Sequence, residues 1–285
     1  MRIAKHTNRY HSPFPKEREG REPRIIEKPN DMLKGVQATI KDRILKTVTL
    51  PDGMKGGVIG KSIRDNAGAH VGKPAILKMD IKNCFPSISR DRIVKVFRYV
   101  FGCPKQMAII LANLTTYDEH LAQGSPASTY LANPSLVPLY NELNEFSKAH
   151  GHTCTIFVDD ITISGPNPRV LLTKAVRIIR NHGHAISCHK LTIQSSGKLQ
   201  EVTGLGVNRR VGVTRKRVKA YRGEILTLAG SECILPSQIN SVFSKISFVR
   251  GYDKGKATSL DALVSSKLPD TATILPTGGE TVIQV

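Results

Sequence analysis

Apolar residues along this chain fall into short β-branched runs that read as strands and longer stretches with helical spacing. Ala75-Ile76-Leu77-Lys78-Met79-Asp80 is one strand. Thr155-Ile156-Phe157-Val158 and Ile161-Thr162-Ile163-Ser164 are two more, joined by a tight turn at Asp159-Asp160. Helical spacing begins at Asp31 with Leu33, Val36, Ile40 and Ile44. Behind a Ser89 N-cap, Ile93, Val96, Phe97, Val100 and Phe101 form a stripe that Gly102 stops. Pro104 starts a helix with Met107, Ile110, Leu111 and Leu114 on one face. A further helix spans about 128–149, with Leu136, Leu139, Leu143 and Phe146 in its stripe and Pro134 and Pro138 near its start. Another runs from Pro168 to His182 and ends at Gly183, followed by two short strands around Ile186 and Val202. This order predicts an α+β fold, an antiparallel sheet backed by helices.

Two stretches lack such a period. Residues 53–72 are glycine-rich and too irregular to assign, and the run after Gly60 is no phosphate-binding loop, because no buried strand precedes it. Residues 1–28 are basic and irregular, and 268–285 read as a loosely ordered tail. The segment 209–256 reads as strands followed by a helix near 237–249.

The turn between the last two strands carries the chemistry. Adjacent carboxylates in apolar surroundings repel unless a cation neutralises them, and Asp80 ends another apolar run. Three acids at strand ends suit a pair of divalent ions about 3.5–4 Å apart, the arrangement used for phosphoryl transfer. An ordinary polar hairpin turn fits the Asp159-Asp160 pair on spacing alone.

The 285 residues allow one large domain or two smaller ones, and a net charge of +19 suits a polyanionic partner such as nucleic acid. Between residues 207 and 256, eleven basic residues face three acids, a density that favours phosphate contact over a merely solvated face. The five cysteines have no metal-ligand spacing and read as reduced thiols of a cytoplasmic protein. His150/His152 and His182/His184 lie beside glycines at helix ends, where cationic C-terminal residues are favoured over zinc ligands. No membrane span or signal peptide is expected.

From about Arg24 to Asn208 the sequence resembles a reverse transcriptase, through four motifs in that family's order. Lys78-Met79-Asp80 through Phe85-Pro86-Ser87-Ile88 resembles its first acid motif, and Phe157-Val158-Asp159-Asp160 its second. Gln123-Gly124-Ser125-Pro126 is similar to its template-and-nucleotide motif, and the stretch from Gly183 to Lys190 to its lysine motif. Asn66-Ala67-Gly68-Ala69-His70 and Val202-Thr203-Gly204 resemble marks of the retron group in particular. Phe157-Val158, Cys84 and Thr129 depart from the family, which favours Tyr-Ala, Phe and Pro at those places; the acids are untouched.

The resemblance implies a right-hand polymerase: fingers over 1–74, an antiparallel-sheet palm over 75–208, a small helical basic thumb over 209–267 and the tail. It implies that Asp80, Asp159 and Asp160 are catalytic and hold two Mg2+ ions, replaceable by Mn2+, with Ile81 beside them in both the metal and the nucleotide set. Lys190 would protonate the departing pyrophosphate, unless it is a solvated surface lysine. Arg24 would clamp the triphosphate, and Gln123 and Gly124 would approach the new base pair. Phe85 would exclude a ribose 2′-hydroxyl, unless it is simple core. Asn66, His70, Val202, Thr203 and Gly204, with Arg215, Lys216, Arg217 and Lys219 of the thumb, would bind nucleic acid. The family reading is copying of a structured non-coding RNA from dNTPs into a short RNA-linked DNA, in antiphage defence. The chain is too short after the thumb for an added enzymatic domain, so a separate effector protein is expected. A defence reverse transcriptase outside the retrons, or a catalytically silent RNA-binding scaffold, are the alternatives.

Overall fold

The computed structural model describes residues 9–18, 21–231, 233–268 and 283–284, so most of the expected tail lies outside the described residues. The chain forms two compact units, Met1–Thr203 and Gly204–Val285. The division falls shortly before the 208/209 break expected from sequence.

The first unit opens with a hairpin, β1 (Phe14–Arg18) and β2 (Arg21–Ile26), and helix α1 (Asp31–Arg43), capped by the Asn30 side chain on the Leu33 amide. Helix α2 (Ile63–Gly68) follows within the stretch that no period assigned. Its start is a capping box, the Ser62 hydroxyl facing the Asp65 amide and the Asp65 carboxylate the Ser62 amide. Next come β3 (Ala75–Asp80), α3 (Arg90–Lys95) under its Ser89 cap, a π turn over 96–100, and α4 (Lys105–Thr115). A two-residue hairpin, β4 (Thr116–Tyr117) and β5 (His120–Leu121), leads to the long α5 (Ser128–Ala149). The acid hairpin is β6 (Thr153–Phe157) and β7 (Asp160–Gly165), followed by α6 (Leu172–Asn181) and β8 (Thr192–Ser195).

The sheet order is β6-β7-β3-β8, every pair antiparallel. Because successive side chains alternate, the sheet has two unlike faces. Leu77, Met79, Ile161, Ile163 and Ile156 point into a core with Leu131, Leu136, Leu139 and Leu143 of α5, Ile93 and Phe97, and Ile178 and Ile179 of α6. The other face carries Lys78, Asp80, Asp160, Thr162, Ser164 and Thr155. Part of that polar face is covered by α2. The buried His70 ring lies 2.6 Å from Ser164 Oγ through Nδ1 and 2.8 Å from Thr155 Oγ1 through Nε2, and Thr155 donates to the buried Asn66 Oδ1 at 2.7 Å.

The second unit holds three mutually packed helices, α7 (Arg215–Ala229), α8 (Pro236–Arg250) and α9 (Lys254–Lys267). Ile225, Leu228, Ile239, Val242, Ile246, Val249, Leu260 and Val264 are its core, and Thr214 and Asp253 cap α7 and α9. The strands expected at the start of this segment are instead α7, whose partly and fully buried Val218, Tyr221, Ile225 and Leu228 keep helical spacing within a strongly charged sequence.

Other expectations are corrected as well. Met107 and Ile110 face outward, and α4 buries Ala108, Leu111, Ala112 and Thr115. Ile186 makes only a bridge to Ile81, the last sheet strand being β8. His150 and His182 close α5 and α6, but His184 is buried, and burial and then the charges of Arg92 and His182 push its ring down to about 4. Its ring is therefore neutral near pH 7. Among the described residues no helix is long and apolar enough to cross a membrane.

His70 behaves like His184: burial, and then the charge of Lys73, push its ring down to about 4. Unfolding would return it to about 6.5, so its contribution is complete above pH 6.5 and is lost as the pH falls toward 4, a swing on the order of 3 kcal/mol. Denaturant midpoints of the wild type should drop over that window, and His70→Gln, which cannot protonate, should drop distinctly less. Equal acid slopes for the two proteins would refute the neutral buried ring.

Candidate active site

The acids meet through strand register. Asp80 ends β3 directly opposite Asp160, the first residue of β7, and the Ile81 amide donates to the Asp159 carbonyl at 2.9 Å. Asp159 lies in the two-residue turn between Phe157 and Asp160, whose other member, Val158, has φ +60°. Asp80 is buried and the other two acids are half-buried. Burial and the charge of Asp80 raise the Asp159 carboxyl above its ordinary range, while burial and then Asp159 and Asp80 push Asp160 up to about 6. The thiol of Cys84 beneath them is pushed up to about 12 by burial and then by Asp159 and Asp80.

Positive charge reaches the acids from two sides. Lys190 Nζ contacts Asp80 Oδ2 at 2.5 Å, and Arg24 is near enough to Asp159 to offset part of its rise. Lys190 is thus no solvated surface lysine. Arg24 sits on β2 directly across from Lys16 of β1. Like charges so paired are unfavourable unless an anion lies over them.

Sequence reasoning missed two residues that set this geometry. The buried Ser187 donates to Asp80 Oδ1 at 2.9 Å, and its amide donates to the Asp80 carbonyl at 2.9 Å. Together with the Lys82 amide on Ala185 and the His184 ring against Ser87 and Arg92, this fastens the loop carrying Lys190 to the Asp80 segment. Glu27, also buried, accepts from the Gln123 amide at 2.9 Å and meets the His120 ring at 2.8 Å, while its own amide donates to the Gln123 carbonyl. That acid raises the His120 ring above its ordinary value. Gly124, at φ +137°, leaves its Cβ position 3.0 Å from the Glu27 carbonyl oxygen, so a side chain there would collide. A serine and a glutamate in irregular segments carry no period that would mark them.

Phe85 is half-buried and packs against the core beside Cys84. The Ile81 side chain is fully buried, which leaves only its backbone to serve the site. The two retron-like motifs are placed differently from expectation. Asn66, His70 and Val202 are buried, and the first two are hydrogen-bonded to the sheet, so they offer no surface to nucleic acid. Thr203 and Gly204 form a turn with φ +45° and +78°, and Thr203 bonds the Ile63 carbonyl. Arg217 is partly buried, its guanidinium stacked 5.5 Å from the Phe248 ring centre and close over Gly204, which sets it apart from the exposed Arg215, Lys216 and Lys219.

Among the described residues no three acids, histidines or cysteines close into a metal cage. The donor set nevertheless suits hard divalent cations: carboxylate oxygens on one polar sheet end, their ionised forms disfavoured by burial and by each other.

A polar-faced antiparallel sheet with acids at one end, backed by helices, is the palm of a nucleic-acid polymerase. The solved structure of telomerase from Candida albicans with a telomeric RNA fragment shares this fold, at a TM-score of 0.52 and 12% identity over 89% of this chain and 56% of that one. Residues 14–209 match the family described as Reverse transcriptase (RNA-dependent DNA polymerase). The retron Mx65 reverse transcriptase of Myxococcus xanthus is 29% identical over 73% of this chain and 54% of its own length. The retron Ec86 reverse transcriptase of Escherichia coli is 27% identical over 85% and 76%. The chain thus spans about half the length of the first relative and three quarters of the second. It belongs to the reverse transcriptase family, and both of these curated relatives are retron reverse transcriptases.

Members of this family work with divalent metal ions. With Asp80 as a metal ligand, as the family resemblance implies, removing the Ser187 hydroxyl should loosen that carboxylate and raise the metal concentration for half-maximal nucleotide incorporation roughly 10–100-fold, as loss of such supporting hydrogen bonds usually does. The comparison is a Mg2+ titration of Ser187→Ala against wild type at matched folded fraction; superimposable curves would leave Ser187 as a loop tether only.

Proposed function

We propose that the protein is an RNA-directed DNA polymerase that copies a structured non-coding RNA into a short RNA-linked DNA. The observation that carries this reading is the pairing of Asp80 with Asp160 across β3 and β7, with Asp159 in the adjoining turn. Asp80 and Asp159 would hold two Mg2+ ions, with Mn2+ able to substitute and Asp160 and the Ile81 backbone beside them. When bound, those ions supply charge for activating the primer hydroxyl and for stabilising the triphosphate.

The chain's own groups do the rest. Arg24, with Lys16 opposite, binds the triphosphate. Gln123 and Gly124 bring backbone against the incoming base pair. Lys190, held near the acids by its contact with Asp80, delivers a proton to the leaving pyrophosphate. Phe85 lies five residues beyond Asp80 and excludes the ribose 2′-hydroxyl by bulk. The exposed Arg215, Lys216 and Lys219 of α7 grip phosphates of the template–product duplex. Cytoplasmic action in antiphage defence, with a separate effector protein, completes the reading and rests on the family resemblance.

Asp159→Asn should abolish dNTP incorporation on a primed RNA, a loss of at least about 10³-fold, or about 4 kcal/mol of transition-state stabilisation. Fold and RNA affinity should persist, since the substitution also removes a repelling charge. Wild-type rates in this variant would sink the catalytic assignment and revive the silent scaffold.

Phe85→Ala should raise the kcat/KM ratio for rNTP over dNTP by about 10²-fold. An unchanged ratio would make Phe85 plain core.

A further inference from the structure

The turn that carries Asp159 is held in an unfavourable conformation. Val158 occupies the first position of a two-residue hairpin turn at φ +60°, where glycine is preferred and a β-branched side chain is strained. Such a backbone persists only where its surroundings impose it.

The imposing piece is the short glycine-rich segment 53–57. It runs beside β6 as an extra rung, the Lys55 amide donating to the Ile156 carbonyl at 2.8 Å and the Ile156 amide to the Gly53 carbonyl at 3.0 Å. Gly56 then lies flat against the turn: a Cβ there would stand 2.4 Å from the Val158 nitrogen and 2.7 Å from the Phe157 carbonyl carbon. Its carbonyl accepts from Nδ2 of Asn133, a buried side chain on α5, at 2.8 Å. Two more contacts come from the same helix. A Cβ on Gly53 would fall 2.0 Å from the Tyr140 hydroxyl, and one on Gly57 2.3 Å from the Thr129 methyl. At its own start, α5 is tied to the nucleotide-binding loop by the Ser128 hydroxyl on the Ala122 carbonyl at 2.6 Å.

We propose that Asn133 is a positioning residue, which fixes Gly56 where it abuts the Val158 turn and so aims the Asp159 carboxylate from the helix that also anchors the Gln123-Gly124 loop. This rests on the polymerase reading above.

The test is steady-state dNTP incorporation on a primed RNA by the full chain, with rates per RNA-binding-competent molecule and Tm measured in parallel. Asn133→Ala should lower kcat about 10²-fold, the usual scale for a small misplacement of a reacting group, with dNTP KM and RNA affinity changed by less than about threefold. Adding Val158→Gly, which reaches φ above zero without strain, should restore most of kcat and none of the Tm lost. Should Asn133→Ala not fold, Gly56→Ala drives a methyl into the turn directly and should show the same selective loss of kcat. Wild-type activity with full kcat in the variants, or a kcat loss that Val158→Gly leaves unchanged, would overturn the clamp and leave the polymerase reading standing. A wild-type chain that incorporates no nucleotide would overturn both.

Discussion

Two carboxylates placed directly opposite one another across an antiparallel pair set the terms for the rest of the molecule. Asp80 and Asp160 face each other on β3 and β7, and Asp159 adds a third negative charge one residue away. Like charges in that relation destabilise a sheet, the more so where burial weakens solvation. The compensations are visible as separate devices. Lys190 contacts one oxygen of Asp80 and Ser187 donates to the other, Arg24 reaches Asp159 from the β1–β2 hairpin, and Gly56 holds the turn. The devices come from three separate stretches of chain, the 187–190 loop, the β1–β2 hairpin and the 53–57 segment, so the acid cluster draws together segments from residue 24 to residue 190.

The back half of the same sheet face solves a different problem. A strand face rich in Thr, Ser and Lys cannot be buried under apolar side chains without orphaning hydroxyls. The Asn66 and His70 side chains of the α2 region satisfy the Thr155 and Ser164 hydroxyls instead. The cost is a histidine kept neutral, and the gain is a polar sheet face divided between a sealed part and an open part that carries the acids.

Much of this was legible in sequence, and the misses have physical causes. The β3 strand and the acid hairpin announced themselves through apolar runs next to aspartate, α1 through its apolar spacing, and α3 and α4 through Ser89 and Pro104 at their starts. Helix α2 was hidden because six residues are too few to show a period, although Ser62 and Asp65 spell its capping box. Met107 and Ile110 misled because apolar spacing fixes a helix but not which of its faces is covered. The family resemblance assigns Asn66 and His70 to nucleic acid, and their burial is invisible until the sheet above them exists. Ser187, Glu27 and Asn133 act through contacts between residues far apart in the chain, and no local pattern encodes those.

Glu27 has a mechanical implication. Its carboxylate and backbone bind the strand of Arg24 to the loop of Gln123, and Gly124 leaves no slack between them. The segment that would meet the triphosphate and the one that would meet the base pair are therefore fastened to each other, so a displacement of either, by phosphates or by a base, would be felt by both.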